Sequence, residues 1–113
     1  MPRGPSKVIG LTFLLYRCQE DPRKFVAHCL ELDVVAVEGT KPQAIDLLKE
    51  LVDDLFQSAQ DSGTLDKVFR PAPLKFWAML ARSKRYEPPA RVVQHHISAA
   101  SVRTVGYALA ADE

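Results

Sequence analysis

Cysteine is scarce in this chain of 113 residues: Cys18 and Cys29 are the only two. Two thiols supply neither a disulfide framework nor, alone, a zinc site, so a reducing cytoplasm is the expected compartment. Long apolar runs are missing as well. None approaches the ~18 residues that a membrane-spanning helix needs. The opening Met1-Pro2-Arg3-Gly4-Pro5-Ser6-Lys7 is basic, but the apolar stretch after it is broken by Gly10 and Thr12 and has no small-residue cleavage site. It reads as strand rather than signal peptide. A Gly-rich phosphate loop, a serine nucleophile elbow, a CxxC pair, internal repeats and low-complexity tracts are all missing. What is present is ordinary globular material, 47% hydrophobic and 26% charged. At this length one soluble domain with one modest core is expected.

Net charge is +1, yet the charges are segregated. Residues 1–19 carry three basic and no acidic side chains. Residues 20–66 carry eleven acidic against four basic, and residues 67–113 eight basic against three acidic. An acidic middle suits a basic partner and a basic tail an acidic one, although such charges also serve simply as solvated faces that balance each other.

Local patterns give an order of elements. Residues 8–16 are β-branched and aromatic and read as a largely buried strand. Gln19-Glu20-Asp21-Pro22-Arg23 is turn chemistry, and residues 25–30 form a second, antiparallel strand. A hairpin centred near Asp21-Pro22 sets Cys18 opposite Phe25 and Cys29 opposite Leu14, leaving the thiols unpaired. Glu31-Leu32-Asp33 is a tight connection to a third strand at 34–37, ended by Glu38-Gly39. Thr40-Lys41-Pro42-Gln43 matches a capping box with proline in the first turn. Ala44, Leu47, Leu48, Leu51, Val52, Leu55 and Phe56 then keep helical rhythm, with Asp46, Lys49, Glu50, Asp53, Asp54 and Gln57 on the other face. The predicted helix covers 42–60, and Gly63 terminates it. Further on, 74–81 fits a short helix or a buried strand, 82–89 reads as a basic linker, and 91–98 and 102–109 read as strands around a hairpin at 99–101.

Phe25 to Leu48, as strand, acidic turn Glu31–Asp33, strand, Glu38-Gly39 turn, Thr40 cap and Ala44–Leu48 helix, resembles the HicB-like family. The likeness covers the first ~60 residues in order and topology; one departure is that the family's glycine usually falls one place earlier than Gly39. The resemblance implies an α+β fold, an antiparallel β-β-β-α meander with one covering helix, truncated ribonuclease-H-like. That core would occupy 1–66, and a β-rich extension at 67–113 would complete the sheet or form an oligomer interface. Many members are antitoxins that bind and block a small basic HicA ribonuclease toxin with a double-stranded-RNA-binding-like fold. The helix-turn-helix or ribbon-helix-helix module of typical members has no counterpart in the pattern of residues 90–110.

Enzymatic readings find little support in these residues. A ribonuclease-H-like site would need carboxylates converging on two metal ions. Glu31, Asp33, Glu38 and Asp46 are available, but the first two fall in a turn and Asp46 lies on the exposed helix face. His28 and Cys29 are neighbours on a strand and diverge, as do His95 and His96. No catalytic, metal or cofactor residue is therefore assigned, and no cofactor is implied. The expectation is a non-catalytic, cytoplasmic, antitoxin-type module that neutralises a small basic toxin through Glu31, Asp33, Glu38, Asp46, Glu50, Asp53 and Asp54. The alternative is an orphan homo-oligomeric HicB-like domain of regulatory role, built through the C-terminal strands with Phe76, Trp77 and Met79 as an anchor. Arg82, Lys84, Arg85 and Arg91 around Tyr86 would add weak nucleic-acid contact.

Overall fold

The structure is a computed structural model and describes residues 9–89 and 102–111. The expected strand at 91–98, the hairpin at 99–101, and Arg91, His95 and His96 lie outside the described residues. The fold is α+β: strands β1 (Ile9–Arg17), β2 (Phe25–Cys29) and β3 (Val34–Glu38), helix α1 (Lys41–Ser62), a 3₁₀ turn (Leu65–Lys67), helix α2 (Leu74–Ala81), then strands β4 (Lys84–Arg85) and β5 (Val102–Leu109). The strands form one mixed sheet in the order β3-β2-β1-β5-β4. Consecutive pairs β1–β2 and β2–β3 are antiparallel. β5 lies parallel to β1 on its other side, so the sheet is not antiparallel throughout. A parallel neighbour needs a long crossover, and the helices and intervening segments between β1 and β5 supply it.

β1 sits at the centre and is buried from both sides. Leu11, Phe13 and Leu15 face α1 in one core cluster, with Ala27, Cys29 and Ala36 from β2 and β3. Leu14 and Tyr16 face the opposite way, toward Phe76, Trp77, Met79 and Leu80 of α2. This strict alternation is the period of two that a strand imposes. The sheet is thus covered by two helices, one on each face, where the sequence predicts a single covering helix. Segment 74–81 is a helix because Phe76, Trp77, Met79 and Leu80 fall on one side of it, and because Trp77 Nε1 donates to Ala72 O at 3.0 Å. A helix this short holds by packing rather than by propensity. The linker at 82–89 also departs from expectation: Lys84 and Arg85 pair with β5 as a two-residue edge strand.

The β1–β2 register differs by one residue from the sequence expectation: Arg17 pairs with Phe25 and Phe13 with Cys29. The turn explains it. Lys24 N–H donates to Asp21 O at 2.9 Å, with Pro22 and Arg23 as the central turn residues, and Cys18 N–H donates to Lys24 O. The loop is centred on Asp21 rather than between Asp21 and Pro22. Cys18 and Cys29 are free thiols.

α1 starts and stops on its caps. Thr40 Oγ1 accepts from Gln43 N–H at 3.2 Å. The Gln43 side chain answers the Thr40 hydroxyl rather than the Thr40 backbone N–H. Gly63, at φ 69°, closes the C-terminus in the left-handed region. The buried stripe is rotated from the predicted one: Ala44, Ile45, Leu48, Lys49, Val52, Phe56 and Ala59 are buried, while Leu51 is 37% exposed. α1 packs mainly on β3 and β2, and Lys49 reaches from its flank toward β5, where Nζ lies 5.6 Å from the Tyr107 ring centre. Lys49 is therefore 2% exposed rather than on the solvent face. Among the described residues no helix is long and apolar enough to cross a membrane.

Gly63 gives a test of this ending. A Cβ there meets nothing within 4 Å, so Gly63→Ala carries only the left-handed backbone penalty. Thermal unfolding of that variant is expected to show a loss of about 1 kcal/mol.

Candidate functional site

Two groups of polar residues stand out, and the acids predicted as one partner-binding set are divided between them. The first is built at the β2–β3 turn. Glu31 accepts from Thr12 N–H at 2.7 Å and from the Thr12 hydroxyl at 2.8 Å. Its carboxylate takes the place of a strand partner for β1, so it is a structural bracket as much as a surface charge. Asp33 adopts φ 54°, a conformation that aspartate tolerates better than most residues. It is held there by His28: Nε2 and Asp33 Oδ1 are 2.7 Å apart. The other ring nitrogen, Nδ1, is 2.9 Å from the Tyr16 hydroxyl. A neutral imidazole protonated on Nε2 satisfies both contacts, donating to Asp33 and accepting from Tyr16. Phe76 of α2 meets the His28 ring edge-on at 4.5 Å between centres.

This Tyr16–His28–Asp33 chain was not legible in the predicted register, which sets Tyr16 on the opposite face from His28. In the observed register Leu14 pairs with His28 and Tyr16 with Val26, so Tyr16 and His28 are diagonal neighbours on one face. Burial pushes the Tyr16 hydroxyl well above the ordinary tyrosine range, with the Asp33 carboxylate adding to it. Such a phenol is a hydrogen-bond donor and a poor source of phenolate. With both ring nitrogens of His28 occupied and the ring 2% exposed, the arrangement fits a buried polar strut that ties β1, the β2–β3 turn and α2 together. Cys29 points to the other face, where burial and then Glu31 push its thiol up to about 12.

The second group lies on α1. Helical spacing sets Asp46, Glu50, Asp53, Asp54 and Asp61 on the side away from the sheet. Glu50 and Asp54 are exposed, Asp46 and Asp53 half-buried. Glu38 is half-buried at the end of β3, on the strand rather than on this helical stripe. Among the described residues no group of three or more His, Cys, Asp or Glu side chains is placed to hold a metal ion.

The predicted basic cluster is spread out. Arg82 caps α2, Lys84 and Arg85 are exposed on β4, and Arg85 Nε pairs with Glu87 Oε1 at 2.9 Å. Tyr86 is committed to the fold: its N–H donates to Tyr107 O at 2.9 Å and its ring packs on the α1-side core. Two surface grooves flank these elements. One, of about 440 Å³, is lined by Asp33, Val34, Leu55, Ser58, Lys67 and Arg70 among others. The second, of about 530 Å³, runs between Tyr16, Val35, Val37, Lys75, Phe76 and Met79.

Two measurements check this site. Tyr16→Phe leaves Nδ1 of buried His28 without its donor and is expected to cost about 1–3 kcal/mol in urea unfolding. Asp33→Asn, which keeps an acceptor and tolerates the backbone angle, is expected to cost less than Asp33→Ala. The second is an alkaline titration of stability. The Cys29 thiol sits at about 12 when folded against 9.0 when free, and burial also raises the Tyr16 and Tyr107 hydroxyls. Groups raised in the folded state stabilise it below their free values. That contribution is lost as pH climbs from 9.0 toward about 12. Lys49, lowered by burial, works in the opposite sense over the same window. Unfolding free energy is expected to be level near neutrality and to fall above pH 9.0, the thiol alone giving up to about 1.4 kcal/mol per pH unit. Cys29→Ala should flatten that part of the slope.

Comparison of the chain with protein-family models, with curated proteins and with solved structures gives no match, so the chemistry of the site rests on the residues themselves.

Proposed function

We propose that the chain is a non-catalytic, antitoxin-type binding module that captures a small basic protein, a HicA-like ribonuclease toxin, on the acidic outer face of α1. The reading joins the resemblance of residues 25–48 to HicB-like antitoxins with one observation on α1. Glu50 and Asp54 stand at i and i+4, both exposed, a like-charge pair that works against the helix by a few tenths of a kcal/mol. The ends are also charged the wrong way for the helix dipole: Lys41 with no acid in the first turn, Asp61 with no base in the last. A charge pattern that costs the helix stability is better accounted for by a partner than by the fold. Glu31 and Asp33 contribute less to capture on this reading, because Thr12 and His28 already engage them. The load falls on Glu50, Asp53 and Asp54, with Asp46 beside them, and steering by this face would speed encounter and be strongest at low salt.

The test separates binding from folding. Glu50→Lys turns the repulsive i, i+4 contact with Asp54 into an attractive one, so unfolding stability is expected to rise by about 0.5 kcal/mol. Capture of a basic partner from the source cells at low salt is expected to weaken about tenfold or more, together with inhibition of that partner's ribonuclease activity. Unchanged capture by a variant that is equally or more stable would sink the reading.

A further inference from the structure

The two edges of the sheet are treated differently. β4 is two residues long, and both, Lys84 and Arg85, are exposed and charged. Short, charged edges are how soluble sheets discourage further pairing. β3, at the other edge, is Val34-Val35-Ala36-Val37-Glu38, with no proline, bulge or lysine to blunt it. Its open backbone groups follow from the ladder. Leu30 N–H donates to Thr12 O at 3.0 Å, which makes Thr12 and Leu30 a hydrogen-bonded pair and sets the alternation along β1–β2. Phe25, Ala27 and Cys29 therefore turn their backbone groups to β3, where Glu38, Ala36 and Val34 face them. Among the described residues no strand takes up the N–H and C=O groups of Val35 and Val37, which point away from β2. The side chains around that edge are apolar on both faces of the sheet. Val35 and Val37 are 46% and 38% exposed on the α2 side. On the α1 side Leu47, Leu51 and Leu55 follow one another at i, i+4 spacing, and Leu55 shares a groove with Val34.

We infer that β3 pairs with β3 of a second copy of this chain, antiparallel about a two-fold axis at Ala36, to give one sheet continuous across both copies. The register is self-complementary. Val35 of each copy then exchanges hydrogen bonds with Val37 of the other, and Glu38 falls directly opposite Val34. Residues directly opposite share a face, so Glu38 enters the groove of about 440 Å³ that Val34 lines in the second copy. That groove also carries Lys67 and Arg70. Among the described residues, Glu38, Lys67 and Arg70 form no ion pair within their own chain. The two-fold axis supplies one at each end of the strand pair. A second copy explains both the uncharged strand and the charge at its end, which an arbitrary extended peptide would not. The dimer does not depend on the antitoxin reading: it uses the flank of α1 over β3 and leaves Glu50 and Asp53 free of the contact.

Light scattering and sedimentation of the full chain between about 1 μM and 100 μM should give twice the 12.6 kDa chain mass. Val35→Pro removes an outward N–H that no described strand of its own chain uses, and is expected to give a monomer that is folded by circular dichroism. Glu38→Lys should weaken the dimer about tenfold, as should Lys67→Glu with Arg70→Glu, and the combined triple variant should regain most of the affinity. That charge-swap rescue decides the matter even if Val35→Pro fails to fold. A monomer throughout the concentration range overturns the inference. So does a dimer that both the charge variants and Val35→Pro leave unchanged.

Discussion

Everything in this molecule leans on β1 being buried from both sides while paired on both edges. A strand in that position must be apolar on alternate residues in both directions, which is why Leu11, Phe13 and Leu15 answer α1 while Leu14 and Tyr16 answer α2. Its polar exception, Thr12, is satisfied by Glu31 through both backbone and side chain. The two helices hardly meet; they are joined through the sheet. Removing water from both faces of one strand lets a short chain build a three-layer core without disulfides.

How much of this was legible in the sequence depends on the kind of signal. Thr40, Pro42 and Gly63 mark the ends of α1 because capping is local chemistry that tertiary contacts seldom override. The three N-terminal strands are equally plain from their β-branched runs. The parity of a hairpin is not, since a five-residue and a four-residue loop at Asp21-Pro22 draw on the same turn residues. One step of register moves every side chain to the other face. That single step separates a sequence in which Tyr16 and His28 diverge from a structure in which they touch.

Lys49 teaches the companion lesson about helices. Periodicity locates a stripe, but the stripe's centre is set by what lies beneath it, and β5 arrives from the far end of the chain. With Tyr107 beside one flank, Lys49 is covered and Leu51 emerges on the other. At 2% exposure the ammonium goes under with its stem, held over the Tyr107 ring and pushed down in pKa by that burial, which a hydrophobic count does not register. The second helix was undecidable for a related reason: eight apolar residues carry no period until a partner surface selects one.

The parallel pairing of β1 with β5 also has a temporal side. Of the described strands β1 is made before the others and finds its β2 partner within a few residues, but its β5 partner is made only after both helices. During synthesis the β1–β2–β3 unit with α1 can assemble early, while Leu14, Tyr16 and the future α2 surface wait in water. The segment at 68–73, anchored by Ala72 N–H to Leu30 O, is where the chain crosses from one face to the other. It divides the folding of this small protein into a local first half and a delayed second one.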